Sequence, residues 1–287
     1  MLVPTDFSPY ARRAADRAIR MGSGARLVHL VCVHQQPRFG DAVPRAEVAR
    51  KLADEATRLE RKVRAQASRV KISSRLLTGE PYVAIIRHSR EIEADVIVLG
   101  SKGAGERPEK VLGRTAARVA RMADTPVLVV RRIVNAPYRR PLVALPLDPS
   151  ARRLVKLAQA ASDPAAPITA VRSYNVPFPG LIDAGSDAAP TAYHKEFRRK
   201  VDKEVGALLA SIDRNGPRIR ARLREGDARG VILSEATRMK ADLIALGTHG
   251  RSGLAHMLIG SVAEWVMVHA SADVLVARPV RFTFEIP

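Results

Sequence analysis

The chain has 287 residues, 46% of them hydrophobic and 27% charged, with a formal net charge of +19 and a pI near 11.0. That length favours two domains, each large enough to bury its own core. No run of about 18 apolar residues and no charged-then-apolar leader occurs, so neither a membrane span nor a secretory signal is expected, and the cytoplasm is the default location.

In chain order, a strand is predicted over residues 1–5 and a helix from about Ser8. Met1 lies almost on that strand, so a few residues upstream of the start are expected. The apolar run 27–33 predicts a second strand, in which Cys32, the single cysteine, is expected as a small core residue. A loop follows through 35–45, then a long amphipathic helix with Ala49, Leu52, Ala53, Ala56, Leu59 and Val63 at three- and four-residue spacing. Next come a short strand at 72–77, a helix after Gly79 and a buried-looking strand at 95–100. A glycine loop, a helix after Lys110 and a strand at 127–131 introduced by Pro126 complete the unit.

The same order is then written again. "ADVIVLGSKG" (94–103) aligns with "ADLIALGTHG" (241–250) at an offset of 147, which also places Gly113 on Gly260, Ala123 on Ala270 and 127–131 on 274–278. "LVPTDFS" (2–8) matches "ALPLDPS" (144–150) at an offset of 142. Two homologous domains account for this, one over 1–134 and one over 140–287, joined by a linker at 132–140. Strands alternating with helices imply parallel pairing with both faces covered, a doubly wound α/β sheet. The tail 281–287 alternates Phe282, Phe284 and Ile286, as one more half-buried strand would.

Ligands of such sheets sit outside the carboxyl ends of the strands, where the strand order reverses. With strands one and four as neighbours, Asp148 and Gly247 share one crevice. Gly247 and Gly250 permit a tight turn with exposed amides. Gly260 and Ser261 open the next helix, whose N-terminus favours anions. Arg251 would add charge at the rim. No Walker loop occurs, GxGxxG follows neither first strand, and Ser252 misses the GxSxG elbow by one residue.

On these residues the whole chain resembles a tandem universal stress protein. The family signature, GxxG, nine residues, then G[ST], is matched by Gly247, Gly250, Gly260 and Ser261, and the family's opening is matched by "VPTDFS" at 3–8. The resemblance implies five-stranded parallel sheets in the order 3-2-1-4-5 and an ATP site, with Mg2+ admissible beside the nucleotide. Carried over, Asp148 and Ser173 face the base and ribose, while Leu246, Gly247, Gly250, Arg251, Gly260, Ser261 and the amide of Val262 serve the phosphate side. In the first copy the corresponding residues are Asp6, Gly100, Gly103 and Gly113. The family's fifth strands pair in dimers, so a homodimer or an internal pseudo-dimer is implied, along with a regulatory protein partner.

The first copy departs from the signature, with Arg114 in place of Ser or Thr and with Glu106, Pro108 and Glu109 in the loop. A carboxylate there repels phosphate and Pro removes a donor. Arg114 would compensate in charge and Thr115 in hydroxyl, yet a weakened first site is expected, with binding mainly through the second domain. Leu147 and Pro149 depart from the first copy around Asp148. His249, between the glycines, is expected as a solvent-facing turn residue, and the remaining histidines lack metal-ligand spacing. Trp265 and Met267 are expected to pack. A stress-response binding module, hydrolysing ATP slowly if at all, is therefore expected. The alternative is a basic scaffold for nucleic acid or protein. Nucleic acid is not favoured, because the basic residues are dispersed and aromatics amount to 4%.

Overall fold

The computed structural model describes residues 1–21, 26–35, 43–66, 68–105, 112–133, 136–148, 150–176, 192–212, 218–248 and 259–278. The first half carries β1 (Leu2–Pro4), α1 (Pro9–Ala18), β2 (Leu27–His34), α2 (Arg45–Ala65), β3 (Lys71–Thr78), α3 (Pro81–Glu91), β4 (Ile97–Gly100), α4 (Arg114–Met122) and β5 (Val127–Val130). The second half repeats this order with β6 (Pro141–Ala144), α5 (Ser150–Ala161), β7 (Ile168–Tyr174), α6 (Ala192–Ala210), β8 (Ile219–Glu225) and α7 (Ala228–Arg238). It closes with β9 (Leu243–Gly247), α8 (Ser261–His269) and β10 (Asp273–Ala277).

Each half is a parallel sheet in the order 3-2-1-4-5, as β3-β2-β1-β4-β5 and β8-β7-β6-β9-β10. The halves are continuous. β5 pairs antiparallel with β10, Val129 opposite Val274 and Val127 opposite Val276, so a single ten-stranded sheet runs through the molecule. The two fifth-strand edges thus cover one another within the chain, which removes the exposed edge each half would otherwise present. Helices α1, α2, α5 and α6 cover one face through Ala14, Leu52, Leu154 and Val201, and α3, α4, α7 and α8 cover the other through Ile86, Val119, Ile232 and Val266.

Local signals explain several helix ends. Ser8 caps α1 by accepting from the Ala11 amide at 3.1 Å, with Pro9 at the first helical position. α3 and α7 end alike, on left-handed Glu93 (φ 48°) and Lys240 (φ 53°), each followed by an amide bonded back to the helix at 2.8 Å. In α2 the buried stripe is Val48, Leu52, Glu55, Leu59 and Val63. Ala49 and Ala53, expected in the core, are exposed. Leu52, Leu59 and Val63 are buried as expected, while Val48 and Glu55, the latter held by Arg58 at 2.6 Å, fill the rest of the stripe.

The strand register corrects one alignment. Leu2 lies opposite His29 and Leu142 opposite Thr169, while the Thr5 and Leu145 amides donate to Val31 and Val171. The first strands therefore correspond at an offset of 140, not 142. Pro146 stands where Asp6 does, and Asp148 where Ser8 does. Apolar Leu-Val pairs set strand register, whereas the Asp-x-Ser match reflected turn chemistry that recurs two residues further on.

The linker is also more than a connection. Tyr138 is fully buried and donates to Asp273 at 2.6 Å. The Asp273 carboxylate also accepts from the Arg131 and Arg132 amides at 2.8 and 3.0 Å and faces Arg17 Nε at 3.5 Å. Burial, then the Asp273 carboxylate, pushes the Tyr138 phenol well above its ordinary pKa.

Candidate functional site

A crevice opens at the carboxyl ends of β1 and β4 in the first half, with a volume of about 470 Å³. The β1–α1 turn builds one wall. Phe7 is left-handed (φ 65°), its amide donates to Thr5 Oγ1 at 3.0 Å, and the Ser8 amide donates to Asp6 Oδ1 at 3.1 Å. This turn holds the Asp6 carboxylate out over the crevice, where Oδ2 accepts from the Ala104 amide of the glycine loop at 2.6 Å. Asp6 thus bridges the two loops that frame the cavity.

The opposite wall is the β4–α4 connection. A Cβ on Gly100 would lie 2.6 Å from the Tyr10 carbonyl carbon, so only glycine lets α1 cross the end of β4 this closely. The Gly113 amide donates to Ser101 at 2.8 Å, closing the loop before α4. Gly103, Arg114, Thr115 and Arg118 also line the cavity, and Lys102 lies over the Tyr10 ring at 5.6 Å. The structure brings together Asp6, Gly100, Gly103 and Gly113, sets Arg114 beside them, and adds Lys102 and Arg118 to the lining. Arg118, half exposed, pairs with Glu80 at 3.0 Å. Glu106, Pro108 and Glu109 lie outside the described residues.

In the second half, β6 and β9 are neighbours, Leu142 opposite Ile244, as a shared crevice requires. Gly260 caps α8 and its amide donates to Thr248, the same closure as Gly113 to Ser101. Leu246 is buried at the end of β9, next to Gly247; Ser261 is exposed and Val262 half-buried at the start of α8. Ser173, on β7, occupies the position of Val33, which lines the first crevice. Asp148 does not occupy the position of Asp6. Its Oδ1 accepts from the Ser150 amide at 2.8 Å, a turn that starts α5. His249, Gly250, Arg251 and Ser252 lie outside the described residues, as does the tail.

The model of the universal stress protein family matches residues 1–131 and again 137–278. The chain belongs to that family. A universal stress protein of Mycobacterium tuberculosis is 28% identical over 240 residues, covering 79% of this chain and 74% of the relative. Another, from Methanocaldococcus jannaschii, is 36% identical over 102 residues, 36% of this chain and 58% of its own. Among solved structures, a universal stress protein from Archaeoglobus fulgidus superposes with a TM-score of 0.68 at 19% identity, covering 97% of both chains. At that identity the likeness is one of fold.

Other polar groups of this tandem stress protein escaped the sequence. His29 and His88 lie with ring centroids 5.0 Å apart between β2 and α3, because strand and helix meet there across 59 residues of sequence. His29 Nδ1 meets Ser73, and His88 Nδ1 meets Glu91 Oε2 at 2.8 Å. Burial first, then the His88 and Arg75 charges, lowers the His29 pKa. Among the described residues no cluster of three or more His, Cys, Asp or Glu forms a metal site. Cys32 is buried, and its thiol is pushed up to about 11, first by burial and then by Asp6. Met267 packs as expected, but Trp265 is 42% exposed, stacked on His269 at 3.8 Å. It sits where Arg118 lines the first crevice. Among the described residues no helix is long and apolar enough to cross a membrane.

Proposed function

We propose that this stress protein binds an adenine nucleotide, ATP in the first instance, and that occupancy alters its affinity for a regulatory protein during stress. The observation that carries this proposal is the first-half crevice, where an acidic turn, a glycine loop and a helix start surround about 470 Å³. Loop amides and the α4 N-terminus suit a phosphate chain. Arg114, Lys102 and Arg118 supply charge that glycine loops otherwise lack. Thr115 provides a hydroxyl in place of the missing serine. The second half contributes Gly247, Gly260, Ser261 and Val262 toward phosphate and Ser173 toward the base, but Pro146 replaces its turn aspartate. The first site is thereby the better equipped for base or ribose, and the second keeps the family's phosphate signature.

Binding rather than rapid turnover is proposed, since Asp6 already accepts from two backbone amides. Any Mg2+ would arrive with the phosphates. A nucleotide that takes the Ala104 amide must displace Asp6, and that exchange offers a route from occupancy to loop position. Mass spectrometry of small molecules released from freshly purified protein should find adenine nucleotide. Calorimetry with ATP should show binding that weakens in Asp6→Ala and Arg114→Ala for the first site and in Ser261→Ala for the second. No released nucleotide and no heat with ATP, ADP or AMP would sink the proposal.

A further inference from the structure

β8 is the last strand of the ten-stranded sheet, and among the described residues its one strand neighbour is β7. From Arg218 through Arg224 arginines alternate strictly with apolar residues. Ile219 and Leu223 pack against the core of one face, which leaves Arg218, Arg220, Arg222 and Arg224 together on the other. Successive arginines two residues apart stand about 6.6 Å from one another, so the row is about 20 Å long.

The row is not what the fold demands at this place. The corresponding edge strand of the first half, β3, carries Lys71, Ser73, Arg75 and Leu77 at the same positions. Blunting an edge against aggregation needs no more charge than that. The environment beneath has also changed sign. Buried His88 of the first half is replaced by Glu235, 3% exposed, and Glu91 by Arg238. Glu235 takes Arg224 and Arg238 in ion pairs and has Arg222 at 3.7 Å. One carboxylate thus holds three guanidinium groups in place and leaves the cluster strongly positive. Arg218 and Arg220 have no acidic partner among the described residues and are exposed.

We infer that this edge receives an extended acidic segment of a partner protein, which adds a strand to β8 and sets alternate Asp or Glu side chains against the arginine row. An added strand presents every second side chain to one face, with the same spacing as the arginines. The edge, with no second strand on it among the described residues, supplies backbone donors and acceptors, and the held guanidinium groups lose little freedom on pairing. A second copy of the chain is a poor occupant, because two such rows would face each other with like charge. Single-stranded nucleic acid fits less well, since the arginine face of β8 carries no aromatic side chain on which bases could stack.

Fluorescence anisotropy with a labelled peptide alternating Glu and Thr tests this, beside a peptide of the same composition with its Glu residues in one block, a DNA duplex and a single-stranded oligonucleotide. The alternating peptide should bind tightest, and the β8 amides should gain protection from hydrogen exchange. The charge reversal Arg218→Glu with Arg220→Glu, at exposed side chains with no acidic partner among the described residues, should weaken it about tenfold or more while circular dichroism stays unchanged. Arg220→Ser, which copies the first half, should weaken it less. Equal binding of the blocked peptide, tighter binding of either nucleic acid, an unaffected double variant, or no added protection along β8 would each overturn the inference.

Discussion

Asp273→Ala is expected to cost this protein a large share of its stability. The carboxylate is fully buried, accepts from Tyr138 Oη at 2.6 Å and from the Arg131 and Arg132 amides, and faces Arg17, itself 4% exposed. Removing it leaves a buried guanidinium without its counter-charge, and a phenol and two backbone donors without their acceptor. Breaking one buried charged pair costs about 3–5 kcal/mol, against a usual total of about 5–15 kcal/mol. Tyr138→Phe deletes one donor to a charged group and leaves the two backbone amides and the Arg17 ion pair, so a loss of about 1.5–3 kcal/mol is expected. Urea unfolding followed by circular dichroism gives both values, with the slope unchanged if only stability moves. A loss below about 1 kcal/mol in Asp273→Ala would refute the reasoning that the linker, α1 and β10 depend on this one carboxylate.

Three further outcomes follow from the packing. Gly100→Ala should lower stability by about 1–3 kcal/mol, read as a drop in thermal midpoint, because its Cβ would overlap the Tyr10 backbone. The His29 pKa is lowered on folding, so the unfolded chain binds more protons near and below the imidazole's unperturbed value of about 6.5. Stability should therefore be full above that pH and fall as pH drops below it, and unfolding series across this range should lose part of that slope in His29→Asn. Cys32, with a thiol near 11, should resist alkylation at pH 8 in the folded protein and react once urea unfolds it.

The doubly wound architecture and the doubling itself were legible because they rest on periodicity and on repeated apolar runs. The strands named in the first copy are all present, and the second copy repeats them, while the strand expected in the tail lies outside the described residues. The pairing of fifth strands was legible only through the family. What escaped the sequence depends on neighbours distant along the chain. His29 meets His88, and Tyr138 in a nominal linker meets Asp273, where nothing local marks either contact. Pro126 occupies the place of Asp273 in the first half, so the repeat gave no warning of a buried acid at the junction. Asp148 was aligned with Asp6 because both accept from a serine amide two residues on, a local likeness that strand register overrides.

The glycines of the signature bear on function less directly than their spacing suggests. Gly100 is required by the crossing of α1 over β4, and a Cβ on Gly113 would come within 3.3 Å of Lys102 Cα, so both follow from packing before any ligand is considered. By the repeat, Gly247 and Gly260 correspond to Gly100 and Gly113, and the Gly260 amide closes on Thr248 as that of Gly113 closes on Ser101. A Gly247→Val protein that failed to hold nucleotide would then report a displaced helix as readily as a lost phosphate contact. The side chains that open the helices after the loops differ between the halves, Arg114 and Thr115 standing in the first where Ser261 and Val262 stand in the second. Ligand chemistry in a tandem protein of this kind is therefore to be sought in what the two copies do not share, since packing already accounts for Gly100 and Gly113.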